Sequence, residues 1–205
     1  MRWVIFCWSR SDRLPADLRE DDVIVCADSG MDYALRCGVK PRIVLGDFDS
    51  YSGNLPSDVE LIRLPAEKDD TDTMFALRLG LERGVRDFLI AGGIGGRLDH
   101  TLGAVQTLNF AVSHGASAVM SDGKQYVEVL EGPASRIYSP DGTKYFSLLA
   151  LSPQVTGVTM TGFKYSLTDG EITYDFPLGV SNEVLESSAV LTVGSGRVAV
   201  IRTCD

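Results

Sequence analysis

The stretch V-R-D-F-L-I-A-G-G-I-G-G-R-L-D-H-T-L, Val85–Leu102, decides how the first half of this chain folds. Val85–Ala91 is a strand, and Gly92-Gly93-Ile94-Gly95-Gly96 follows it directly. Leu98 then opens a helix that runs to Ser113 and is ended near His114-Gly115. Strand, glycine turn and helix in that order make the core of a βαβ unit. The same alternation extends outward from it. Trp3–Trp8 and Val23–Ala27 are continuous apolar runs of the kind that parallel sheets bury on both faces. Met31–Cys37 is a short helix stopped by Gly38. Arg42–Leu45 and Val59–Leu64 are further strands, and Thr71–Arg83 carries Met74, Leu77 and Leu81 at helical spacing before Gly84. Ala116–Met120 is the last strand of this half. Ligands of such sheets bind outside the carboxyl ends of the strands. Asp28, Asp47 with Asp49, Asp69 with Asp72, and the glycine loop with Asp99 all follow strand ends, so four loops bring acids or glycines to one edge.

Beyond about Asp122 the pattern changes. Tyr126–Leu130, Arg136–Tyr138, Tyr145–Leu151, Val158–Thr161, Glu171–Phe176, Ala189–Val193 and Arg197–Arg202 are short β-branched or aromatic runs. Turn signals such as Pro140-Asp141-Gly142, Thr168-Asp169-Gly170 and Gly194-Ser195-Gly196 separate them, as in an antiparallel sandwich. The expected organisation is a parallel-sheet, Rossmann-like α/β domain over residues 1–124, followed by an all-β sandwich over 125–205.

The totals narrow the function. A net charge of −9 over 205 residues, with no long Lys/Arg run, argues against nucleic acid as a main partner. The apolar run at Trp3–Trp8 is too short for a signal segment or a bilayer span, so no membrane partner is expected. The four cysteines form no C-x-x-C and have no neighbouring histidine. They read as free thiols of a cytoplasmic protein, not as a zinc site.

Two acidic knots carry the chemistry, G-D-F-D-S at Gly46–Ser50 and E-K-D-D-T-D at Glu67–Asp72. Asp47 and Asp49, two apart on extended backbone, project to one side and can reach one ion. Converging carboxylates repel one another unless a divalent cation with oxygen ligands sits among them. Asp-rich turns also bond their own backbone, and Thr71 or Asp70 is a natural N-cap, so capping remains the competing account of both knots. Lys68 is either a surface counter-charge or a phosphate contact. The glycine loop has neither dinucleotide nor Walker spacing, yet its backbone N–H groups and Arg97 suit phosphate. Gly179–Glu183 reads by composition as a turn. No Ser/His/Asp pattern or nucleophilic cysteine is apparent.

Taken together and in order, these residues resemble the thiamine pyrophosphokinase family. The matching pieces are A-D-S-G (Ala27–Gly30), V-L-G-D-F-D-S (Val44–Ser50), K-D-D-T-D-T (Lys68–Thr73), G-G-I-G-G-R-L-D-H-T-L (Gly92–Leu102), G-F-K-Y-S-L (Gly162–Leu167) and V-S-N-E (Val180–Glu183). The resemblance implies transfer of a pyrophosphoryl group from ATP to the hydroxyl of thiamine, with Mg2+, in a homodimer whose thiamine site is shared between subunits. It implies Asp47, Asp49 and Asp72 as magnesium ligands, and Asp72, Asp99 and Lys68 as catalytic residues. Asp28, Ser29, Gly92, Gly93, Gly95, Gly96 and Arg97 are the implied ATP contacts. Asp99, Ser181 and Asn182 are the implied thiamine contacts. Animal-type members carry Gln where Lys68 stands and an aromatic residue after the Ser-Asn pair, whereas no Trp follows Asn182 here. Two other classes share these acids: a metal-dependent phosphohydrolase using water, and a non-catalytic nucleotide or thiamine sensor.

Overall fold

The computed structural model of the chain describes residues 1–15, 18–47, 58–65 and 69–204. It divides into two compact units, Met1–Gly123 and Lys124–Asp205.

The first unit contains strands β1 (Trp3–Phe6), β2 (Val23–Ala27), β3 (Ile43–Gly46), β4 (Glu60–Arg63), β5 (Asp87–Ala91) and β6 (Ser117–Ser121). Helices α1 (Gly30–Arg36), α2 (Asp72–Glu82) and α3 (Leu98–Ser113) alternate with them. The strands lie in the order β4-β3-β2-β1-β5-β6, and every pairing is parallel. The apolar runs explain this. All four residues of β1 and of β3 are buried, as parallel strands covered on both faces must be. The helices contribute Met31, Tyr33 and Ala34, then Ala76, Leu77 and Gly80, then Ala104, Thr107, Leu108 and Ala111 to the interior. Edge strand β4 is largely exposed, which suits its charged ends. The chain lays down β1 to β4 in one direction and then returns to the other side of β1 with β5 and β6. The order therefore reverses between β1 and β5, and a crevice opens beyond their carboxyl ends.

The second unit pairs strands β7 (Tyr126–Glu131), β13 (Arg197–Thr203) and β9 (Tyr145–Ala150) antiparallel. A four-stranded antiparallel sheet runs β11 (Leu167–Thr173), β10 (Gln154–Thr161), β12 (Ala189–Val193), β8 (Ala134–Tyr138). Alternate side chains point inward, as on β12, where Ala189, Leu191 and Val193 are buried. They meet Phe146, Leu148, Val198 and Val200 from the other sheet in one apolar core.

Two expectations shift. The Trp3–Trp8 run leaves the sheet after Phe6, so Cys7 and Trp8 belong to the following loop. The Glu171–Phe176 strand instead spans Leu167–Thr173. The turn signal at Thr168–Gly170 is absorbed into it as an irregularity, with Asp169 at φ 47 and register shifts against β10. Tyr174 and Phe176 are left exposed.

One glycine controls the turn into α1. A Cβ on Gly30 would collide with the backbone carbonyl of Phe6, so α1 begins where it does because that side chain is missing. Gly103, inside α3, has open space around it. Gly30→Ala is expected to lose about 3 kcal/mol or more by forced backbone displacement. Gly103→Ala is expected to gain about 0.5–1 kcal/mol of helix propensity. Chemical denaturation of the two variants checks the opposite signs.

Candidate active site

The crevice beyond β1 and β5 holds a cavity of about 630 Å3. Four segments of the first unit line it. Cys7, Trp8 and Arg10 follow β1; Ala27, Asp28 and Ser29 end β2; Thr71, Asp72 and Thr73 open α2; Gly96, Arg97 and His100 lead into α3. A second cavity of about 200 Å3 shares Cys7, Trp8, Thr71, Thr73 and His100 and adds Gly93, Gly95 and Asp99. Asp28, Ser29, Asp72, Arg97, Asp99 and three of the four expected glycines thus line one pair of adjoining cavities.

Local structure explains each position. Asp28 sits at φ 47, a left-handed conformation that Asp tolerates better than most residues. Its N–H donates to the Leu45 carbonyl at 2.8 Å and its carbonyl accepts from Met31 N–H at 3.1 Å, so the turn is tied to β3 and α1. Thr71 is the N-cap of α2, accepting from Met74 N–H at 3.2 Å. That sets Asp72 in the first helical turn, with its Oδ1 buried. The glycine loop divides. Gly92 N–H donates to the Ser121 carbonyl (2.9 Å) and Gly93 N–H to the Trp8 carbonyl (3.0 Å). Those two donors hold the loop itself, which leaves Gly95, Gly96 and the start of α3 for a ligand.

Arg97 and Asp99 are joined as a fork, Nε to Oδ1 at 3.1 Å and Nη2 to Oδ2 at 2.6 Å, with both side chains exposed. The Arg97 hydrogen bonds hold the Asp99 carboxyl below the usual carboxylate range, so it is ionised and a weak base. Burial pushes the Cys7 thiol up to about 12, which keeps it protonated and removes it as a nucleophile.

The acidic knots separate. Asp47 follows β3 at the same sheet edge and is half-buried. Asp70 turns away, pairing with Arg78 on α2 and lining a different cavity with Met74 and Phe110. Asp49 and Lys68 lie outside the described residues. Among the described residues no three His, Cys, Asp or Glu side chains gather to hold a metal. Sequence reasoning did not single out Trp8, Arg10 or Thr73 as site residues. The apolar run hides where β1 ends, and strand order, which makes that end the crevice, is not written in any local pattern.

In the second unit, Ser181 takes φ 63 and its N–H donates to Ser147 Oγ at 3.0 Å. Asn182 is 5% exposed. Its Oδ1 accepts from Tyr165 N–H and Glu183 N–H, both at 2.9 Å, and its Nδ2 donates to the Tyr165 carbonyl at 2.7 Å. The amide is thereby committed to holding Tyr165, whose side chain is 61% exposed beside a cavity of about 140 Å3.

The family model for the catalytic domain of thiamin pyrophosphokinase matches residues 16–120, and that for its vitamin B1 binding domain matches residues 135–198. The chain belongs to the thiamin pyrophosphokinase family. Thiamine pyrophosphokinase of Bacillus subtilis (strain 168) is 30% identical over 191 residues, covering 91% of this chain and 89% of the relative. A crystal structure of a Bacillus subtilis thiamine pyrophosphokinase superimposes with a TM-score of 0.87 at 27% identity, covering 100% of this chain and 99% of the other. That of Geobacillus thermodenitrificans thiamin pyrophosphokinase gives 0.82 at 30% identity, covering 100% and 97%. The family's catalytic match contains Asp28, Asp72, Arg97 and Asp99 of the two cavities, while Cys7, Trp8 and Arg10 precede it, and its B1-binding match contains Tyr165, Ser181 and Asn182.

Asn182→Ala leaves the partly buried Tyr165 N–H and carbonyl without their partner and is expected to cost about 1–2 kcal/mol of stability. Asn182→Asp, which keeps an acceptor oxygen for both N–H groups but loses the donor, is expected to recover part of that loss. Thermal denaturation of the two variants beside wild type checks the ranking.

Proposed function

We propose that this protein is a thiamine diphosphokinase that transfers the pyrophosphoryl group of ATP to the hydroxyl of thiamine, giving thiamine diphosphate and AMP. The observation that carries the reading is the meeting of Asp28, Asp72, Arg97 and Asp99 around the crevice of a member of this family. Attack on the β-phosphorus with AMP departing in line is chiefly a problem of positioning and charge neutralisation. The reading assigns residues 1–124, as a Rossmann-like α/β domain, to ATP and magnesium; the all-parallel order β4-β3-β2-β1-β5-β6 supports it. It assigns residues 125–205 to thiamine.

The donor chemistry fits Mg2+. Asp47 and Asp72 offer oxygen ligands, and Mg2+ is ordinarily held by one or two carboxylates together with substrate phosphates, so three clustered acids are not required. Asp47, Asp49 and Asp72 are the proposed ligands. When bound, Mg2+ neutralises phosphate charge that the carboxylates would otherwise repel. Arg97, with Gly95, Gly96 and the α3 N-terminus, binds phosphate oxygens. An incoming phosphate competes with Asp99 for the Arg97 fork, and the released Asp99 carboxylate accepts a hydrogen bond from the thiamine hydroxyl. Its lowered basicity makes it an orienting group first and a proton acceptor late in the transfer. Gly92 and Gly93 shape the loop, Asp28 and Ser29 contact the nucleotide, and Lys68 is assigned to phosphate by sequence alone.

For thiamine, Ser181 offers a hydroxyl, and Asn182 acts by holding Tyr165, whose exposed ring offers an aromatic face. A homodimer sharing the thiamine site is part of the reading. Tyr174, Phe176, Leu178 and Val180 expose apolar side chains within one short segment, as a subunit contact would use. A cytoplasmic location accords with the free cysteines, and no helix among the described residues is long and apolar enough to cross a membrane.

With ATP, Mg2+ and wild-type protein, AMP is expected only when thiamine is added. Phosphate release without thiamine would instead indicate a hydrolase, and binding of both compounds without turnover a sensor. Asp72→Asn is expected to lower turnover at least ~100-fold at saturating magnesium and ATP. A near-normal rate under those conditions would remove Asp72 from the metal site.

A further inference from the structure

Of the groups assigned so far to ATP, those on phosphate and metal and the contacts of Asp28 and Ser29 offer no aromatic face to a nucleobase. Trp8 stands at the centre of the same crevice without a role. It follows β1 where the strand order reverses, and it lines both adjoining cavities. The glycine loop fixes it twice. Its carbonyl accepts from Gly93 N–H at 3.0 Å, and its indole fills the space that a side chain on Gly96 would take. The other tryptophan, Trp3, is 2% exposed in the core, whereas Trp8 remains 36% exposed on the wall of the cavity. An indole held rigidly at main chain and ring, yet open to the cavity, is a ready stacking surface.

The Arg10 guanidinium carbon lies 5.7 Å from the Trp8 ring centroid, and Arg97 lines the same cavity. Arg10 over the ring and Arg97 on the cavity wall suit the phosphates of a flat group, and Asp28 and Asp72 line the same cavity. We propose that Trp8 is the stacking platform for the base of the nucleotide substrate, positioned by Gly96 and flanked by Arg10. This rests on the reading of ATP as the phosphate donor. It makes Trp8 a specificity-determining residue, because purines stack more strongly than pyrimidines.

The test uses the full chain with kinetics and tryptophan fluorescence. In wild type, AMP is expected to quench the exposed indole, and ribose 5-phosphate at equal concentration is not; equal quenching, or none with AMP, overturns the proposal without any mutation. Trp8→Ala is expected to raise KM for ATP about ten-fold and to flatten the preference for ATP over CTP. Trp8→Phe, which keeps an aromatic face, should restore most of both. An unchanged KM for ATP in Trp8→Ala overturns the proposal. A rise confined to the KM for thiamine overturns it as well and gives the ring to the other substrate. If wild type releases no AMP in the presence of thiamine, the reading of ATP as donor fails, which is distinct from an active enzyme indifferent to Trp8.

Discussion

The site depends on a reversal of strand order about β1. Because β2 and β5 flank β1 in parallel register, the segments that leave their carboxyl ends diverge and leave a crevice between them. The chain then fits two backbone turns close against that point. Gly30 lets α1 start against the Phe6 carbonyl, and the glycine loop closes over Cys7 and Trp8. Acids and arginine arrive at this edge as a consequence: Asp28 ends β2, Asp47 ends β3, and Asp72 and Asp99 open helices that return from strands. Repulsion among the carboxylates is tolerated at such an edge because helix N-termini and a cation can offset it.

The second unit applies a different economy of polar groups. Asn182 is buried among apolar strands, and its three side-chain bonds hold the main chain of Tyr165 and Glu183. A buried amide with its hydrogen bonds made specifies one local geometry, whereas an unmade bond there would be costly. The exposed aromatic ring and the Ser181 turn are both placed by that one residue and its neighbours.

Much of this was legible in the residues. Continuous apolar runs separated by helical patterns specified parallel strands, and short strand-like runs separated by turn signals after Asp122 specified antiparallel ones. The strand–glycine–helix stretch at Val85–Leu102 marked the glycine-lined edge where the cavities lie. Three things were hidden. Local pattern carries no strand order, so Trp8 read as the end of a strand and not as part of a crevice. Local pattern also does not show which polar groups the fold itself engages: the Asn182 amide holds Tyr165, and the Gly92 and Gly93 N–H groups bond the Ser121 and Trp8 carbonyls. The cap of α2 was open between Thr71 and Asp70, and the structure gives it to Thr71 while Asp70 pairs with Arg78.

The central claim is that this edge directs a hydroxyl onto the β-phosphorus of ATP. The most direct measurement is 31P NMR of the products formed from thiamine and ATP carrying 18O in the bridge between its α- and β-phosphorus atoms. The account predicts AMP and thiamine diphosphate in equal amounts, with the bridging label wholly in AMP. Label in thiamine diphosphate, or ADP as the nucleotide product, would contradict it.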